Sequence, residues 1–219
     1  MLQFRLTYEG PLRPSGNNNR NAAHKHEIRK AFHPQLRNLW STNGNINELA
    51  HLKMGFIRKG VMWRFKGLLK GENPGDSDER EYIEYLADNY KIQNHQIIPL
   101  VTSGLSLWCG LDILFLRSSA PGKILSSGDI DNRIKTLFDA LKRPTQLSDF
   151  GPQYQPPHES EQPFFVLLED DSLVAKLSVE TDMMLEPLIG GIPEDTDTRL
   201  VITVSLRPMD TNIVNMGFG

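Results

Sequence analysis

Leu105-Ser106-Leu107-Trp108-Cys109-Gly110-Leu111-Asp112-Ile113-Leu114-Phe115 decides the fold class. Apolar side chains recur at every second position from Leu105 to Phe115, the period of a strand with one buried face. Trp108, Leu114 and Leu116 fall on the other face, so both faces are expected to be partly covered. After a loop at 118–128, Ile134, Leu137, Phe138 and Leu141 take up helical spacing over 129–143, and Pro144 ends that run. Two further alternating stretches, 173–180 and 199–207, read as strands. Strand, helix, strand, strand predicts α/β: a single mixed α/β domain over 1–219, a small sheet with flanking helices.

Toward the N-terminus, Leu2, Phe4, Leu6 and Tyr8 alternate with Gln3, Arg5 and Thr7, giving another half-buried strand. A Gly/Pro/Asn loop over 10–19 follows. From about 22, Ile28, Phe32, Leu36 and Leu39/Trp40 form one helical stripe, with Pro34 placed to kink it. Its other faces carry Lys25, His26, Arg29, Lys30 and Arg37, and the histidines 24, 26 and 33 read as a solvated or phosphate-facing surface. Residues 79–90 read as a helix. Residues 54–69 interleave Phe56, Trp63 and Phe65 with Arg58, Lys59, Arg64 and Lys66. That pattern reads first as a pair of amphipathic strands and second as a nucleic-acid surface. Residues 41–100 are an elaboration, 145–163 a mobile Pro/Gln/Ser-rich excursion, and 210–219 a loose tail.

The 219 residues are 39% hydrophobic and 23% charged, enough for a core and against wholesale disorder. No run approaches the ~18 apolar residues of a membrane span, and the first residues read as a strand, not a signal peptide. The one cysteine, Cys109, excludes an internal disulfide and Cys-rich zinc sites, and its place in the apolar row makes it inert core. A cytoplasmic protein with no membrane partner is expected. The net charge of −3 hides an asymmetry: residues 1–70 hold 13 Lys+Arg against 3 Asp+Glu, and residues 71–219 hold 11 against 24. Either the basic third faces phosphates, or the two halves pair within the fold.

Chemistry concentrates in Gly128-Asp129-Ile130-Asp131-Asn132-Arg133-Ile134-Lys135. Two carboxylates two residues apart, where a loop becomes a helix, can reach one point. They repel unless a cation neutralises them, and Mg²⁺ suits such hard oxygen donors. Lys135, one turn beyond Asp131, could steady developing negative charge. A helix N-cap is the other reading of either aspartate. Glu169-Asp170-Asp171, after the apolar run 164–168, is a second acidic point that reads as a tight turn or as the missing ligand. Asp76-Ser-Asp78 and Asp195-Thr-Asp197 repeat the spacing in turn-like contexts. Counting from Asp129, Ile134 and Ala140 stand where an EF-hand needs Gly and Glu. Pro121-Gly122-Lys123 is no P-loop, and no Gly-x-Gly-x-x-Gly occurs.

Taken together, Asp129-Ile-Asp131-Asn132, Lys135, Phe138-Asp139-Ala140-Leu141, then Asp170-Asp171 leading into a strand, resemble the RusA-type Holliday-junction resolvases. Pro14-Ser15-Gly16-Asn17-Asn18 is similar to that family's early Pro-Ser-Asn-Asn segment. The resemblance covers 105–207 less the excursion, and the first 40 residues more loosely. It implies a RusA-like fold and a dimeric, Mg²⁺-dependent endonuclease (Mn²⁺ as a substitute) that nicks four-way DNA junctions in recombination and repair. Family members are typically bacterial and often prophage-encoded. Catalytic residues would be Asp129, Asp131, Lys135 and Asp171, with metal on Asp129, Asp131 and Asp171 and Asp170 as a helper. Branched DNA would lie along Arg13, Asn17, Asn18, Arg20, Lys25, Arg29, Lys30 and Arg37. Family members are near 120 residues, so 41–100 and 145–163 are extra here. The alternatives are a non-cleaving junction or branched-DNA binding protein with the same fold, a nuclease for other branched DNA, and a partner-binding α/β domain.

Overall fold

The computed structural model describes residues 1–15, 21–62, 78–118, 129–152, 156–186 and 196–219. Strand β1 (Gln3–Pro11) leads to helices α1 (Ala22–Thr42), α2 (Gly44–His51), α3 (Met54–Met62) and α4 (Tyr82–Asn89). Then come β2 (Ile97–Val101), β3 (Leu107–Arg117), α5 (Asp129–Leu141), β4 (Phe164–Leu168), β5 (Val174–Met183) and β6 (Asp197–Pro208). The chain is a mixed α/β domain, and among the described residues no helix is long and apolar enough to cross a membrane.

A four-stranded sheet has the order β1-β6-β3-β5. β6 runs antiparallel to both β1 and β3, whereas β5 is parallel to β3. The alternation in β3 is realised: Leu107, Cys109, Leu111, Ile113 and Phe115 are all buried, the last four opposite Leu206, Val204, Ile202 and Leu200 of β6, with Leu111 and Ile113 also opposite Leu177 and Val179 of β5. Burial pushes the Cys109 thiol up to about 12, so it stays protonated. The opposite face carries Trp108, 39% exposed, and half-buried Leu114 and Leu116.

A second, two-stranded parallel sheet, β2 with β4, has every residue of both strands buried. Burial on both faces removes the alternation that marks a half-buried strand, so the continuous run Ile97-Ile98-Pro99-Leu100-Val101 carries no period-two signal. Helix α1 runs on through Pro34 and buries Ile28, Phe32, Leu36 and Trp40. It packs on β1, β4, α2 and α5 and so ties the two sheets together.

Three expectations are corrected. Residues 54–62 form helix α3 and not a strand, with Met54 and Ile57 buried one turn apart; Trp63, Arg64, Phe65 and Lys66 lie outside the described residues. The described part of 145–163 is built into the fold. Phe150 is buried edge-on to His26, with ring centroids 5.0 Å apart, and the carbonyl of Ser160 binds His33 and Arg37 of α1. Gly151 holds φ +105° where a Cβ would come 2.9 Å from that of Ala23, so the excursion presses directly on α1. Composition misleads there because its polar groups meet polar groups of α1. The tail is likewise locked: fully buried Asn215 donates through Nδ2 to the carbonyls of Leu105 and Asp210 and accepts from the Asn212 amide, and Phe218 is 2% exposed.

Candidate functional site

Helix α5 begins at Asp129, whose side chain lies outside the described residues. Every fourth position from Asp131 shares one face, and it reads Asp131, Lys135, Asp139, followed by Lys142 one turn on. Lys135 Nζ is 3.6 Å from Asp131 Oδ2, with both side chains about two-thirds exposed. Lys142 Nζ is 3.0 Å from Asp139 Oδ1, and Lys25 of α1 reaches Asp139 Oδ2 at 2.7 Å. Burial works to raise the Asp139 pKa, but the hydrogen bonds from Lys25 and Lys142 outweigh it and hold the carboxyl below its usual range.

The turn after β4 sorts its three acids. Glu169 accepts from the amide and hydroxyl of Ser103, so it serves the turn before β3. Asp170 caps its own 3₁₀ turn by accepting from the Ser172 amide, and the Ser172 bonds lower its pKa. Asp171 alone faces α5, with Oδ2 3.2 Å from Lys142 Nζ. Asp170 thus serves the turn, and Asp171 is the acid of the three that lines the cavity beside α5.

Asp131, Lys135, Asp139 and Asp171 line one cavity of about 1000 Å³. Ile130, Ile134 and Phe138 of α5 and Leu177 and Val179 of β5 form its apolar wall. Ser15 completes the lining, and its amide donates to the Asn132 carbonyl. The early loop and the first turn of α5 therefore meet. Asp139, which the sequence reading has only as part of the Phe138–Leu141 motif, lines the site, and Lys142, unmarked there, pairs with it; Lys25, expected on DNA, instead pairs with Asp139. The helical spacing from Asp131 is the signal for Asp139 and Lys142, whereas nothing in sequence marks the partner of Lys25.

The acids lining the cavity offer only carboxylate oxygens, with no imidazole or thiolate beside them, which fits a hard divalent ion such as Mg²⁺. Among the described residues, no group of three His, Cys, Asp or Glu side chains is close enough to hold one. Asp131, Asp139 and Asp171 are the described carboxylates that line the cavity, and Asp139 is already held by two lysines.

The expected DNA surface divides. Arg29 is 3% exposed and donates to the carbonyls of Asp139, Lys142 and Asp149, so it is a core residue and offers nothing to a phosphate. Lys25 is committed to Asp139, and Lys30 pairs with Glu27 and Glu161. Arg13 and Arg37 are exposed; Asn17, Asn18 and Arg20 lie outside the described residues. Much of the basic third thus pairs with the acidic remainder of the chain. Two of the three histidines expected on the surface are buried: His26 and His33 are 9% and 5% exposed, and His33 is stacked on Phe164 at 4.5 Å, whereas His24 is half-buried and accepts from the Arg13 amide. His51 bonds Glu81, and His158 bonds Ser160. Compared with known proteins, the chain matches no family model, no curated protein and no solved structure.

Proposed function

We propose that this chain is a Mg²⁺-dependent endonuclease of the RusA type that nicks four-way DNA junctions as a homodimer, in recombination and repair in the cytoplasm. One observation carries the reading. Asp131 and Lys135 at the start of α5 and Asp171 forty residues later line the same cavity. A capping role needs one aspartate and no lysine.

In this reading Asp131 and Asp171, with Asp129, hold Mg²⁺, which when bound supplies activation of water and polarisation of the phosphate. Lys135 stands at the cavity wall, where its ammonium offsets negative charge accumulating on the phosphate oxygens. The turn capped by Asp170 presents Asp171 on the side of α5, where Lys142 competes with a cation for it. Exposed Arg13 and Arg37 contribute to phosphate binding, which weakens steeply with salt.

The test is a labelled four-way junction incubated with Mg²⁺ or Mn²⁺. Wild type nicks it, and Asp131→Asn and Asp171→Asn each lose at least about 100-fold in rate while still binding the junction. Equal behaviour of wild type and Asp131→Asn across both metals rejects the assignment. A second reading, a non-cleaving branched-DNA binding protein, is favoured by the ion pairs of Lys135 with Asp131 and Lys142 with Asp171, which already neutralise these acids. It predicts metal-independent junction binding and no nicking by any variant.

A further inference from the structure

We propose that β5 is the surface through which two copies of this chain pair, antiparallel and edge to edge about a two-fold axis. The four-stranded sheet has two edges, and they are treated differently. At the β1 edge, Gln35 of α1 accepts from the Thr7 amide at 2.9 Å and donates to the Thr7 carbonyl at 2.7 Å, so one side-chain amide stands in for a neighbouring strand. At the β5 edge, among the described residues, β3 is the only element that hydrogen-bonds the backbone of 174–182. β5 is ten residues long and contains neither proline nor glycine, so its outer edge can accept another strand along its length.

The strand is complementary to itself. Antiparallel pairing centred on Ser178 sets Lys176 opposite the partner's Glu180 and Leu177 opposite the partner's Val179, each twice because of the two-fold. Opposite residues in an antiparallel pair share a face. The Lys–Glu pairs therefore lie on the open face, where Lys176 already meets Asp112 at 2.7 Å. Leu177, 46% exposed although it points to the core side, gains apolar cover. Parallel stacking in register would set Lys against Lys and Glu against Glu, so the charge pattern favours a closed pair over an open stack.

A two-fold normal to the sheet gives one continuous eight-stranded sheet and puts both cavities on the same side of it. Since Leu177 and Val179 line the cavity, the partner's Val179 extends its apolar wall. This supplies the dimer of the proposed function, but it is argued from the strand alone, and its test has no catalytic readout.

The experiment is sedimentation equilibrium on the full chain over a range of concentrations. Wild type is expected to be a dimer. Lys176→Glu and Glu180→Lys each replace two attractive pairs by two repulsive ones and weaken association at least about 10-fold. Glu180→Lys leaves the Lys176–Asp112 pair in place, so its effect is not ascribed to loss of that bond. Circular dichroism spectra matching wild type, with a cooperative melt, show that each variant folds. Mixing the two single variants in equal amounts restores a dimer, as each contact then joins opposite charges, and the double variant restores it alone. A monomeric wild type, single variants that dimerise like wild type, or a mixture that stays monomeric each overturns the proposal.

Discussion

Lys142 Nζ sits 3.2 Å from Asp171 Oδ2 while also bonding Asp139, so one ammonium joins the end of α5 to the turn after β4. The groups are about one-third to one-half exposed, where such pairs are individually weak. Lys142→Met is expected to cost about 1 kcal/mol, read from the urea midpoint. Asp139 keeps Lys25, but Asp171 loses its cation. Mn²⁺ should then bind more tightly by calorimetric titration; unchanged affinity would show that Asp171 is not a ligand.

Arg29 separates stability from DNA affinity. Burial pulls its pKa down to about 10 against the pull of Asp149 and Asp139, yet it remains charged at neutral pH. Arg29→Met removes the donor to three part-buried carbonyls and should cost about 3 kcal/mol, with junction affinity at fixed salt unchanged in the folded fraction. Arg13→Ala should do the reverse, lowering the salt slope by about one with little change in the melt.

His26 makes the fold sensitive to acid. Burial, with Arg29, Lys30 and His95 nearby, holds its pKa down at about 3, between Phe150 and Phe164. In the unfolded chain it titrates near 6.5, so between pH 6.5 and 3 the unfolded state binds the extra proton. Stability is therefore whole above pH 6.5 and falls as pH drops through that window, by at most about 1.4 kcal/mol per pH unit from this group. Asp78, Asp139 and Asp170, held below the usual range, add losses of the same sign. His26→Leu should flatten the melting temperature between pH 7 and 5; curves parallel to wild type would remove His26 as a cause.

Gln35 guards a strand edge, so its loss should show in solution behaviour as well as in stability. Gln35→Ala removes two hydrogen bonds to the Thr7 backbone, and one from its hydroxyl, and should cost about 1 kcal/mol. It also uncovers the β1 edge. Species larger than wild type should then appear in light scattering as concentration rises. A destabilised variant with the wild-type size distribution would show that α1 itself covers that edge.

Elements with one wet and one dry face were legible in sequence. The alternation in β1, β3 and β6 and the stripes of α1 and α5 report a single buried side, and their positions were read to within a few residues. The β2–β4 sheet was not, because burial on both faces erases the pattern. The excursion and the tail were misread because their polar side chains make internal bonds, as Asn215 does, which composition does not distinguish from solvation. At the site, local spacing suffices to align Asp131 and Lys135. That Asp171 faces them and Asp170 does not is set by which carboxylate caps the turn, a matter of backbone geometry. Lys25 arrives from a helix more than a hundred residues earlier, and nothing local predicts its partner.

The turn bearing Asp171 is fastened by backbone from two distant stretches: the Glu169 amide donates to the Val101 carbonyl at 2.9 Å, and the Arg143 amide to the Leu168 carbonyl at 2.8 Å. Such long-range closures form late, since the intervening chain must first be drawn in. A polypeptide still emerging from the ribosome can possess the helix with Asp131 and Lys135, but it has no acid across from them until residues 164–173 have been made and seated. The cavity is thus complete only in the finished molecule, and a nascent or half-melted chain carries just one side of it.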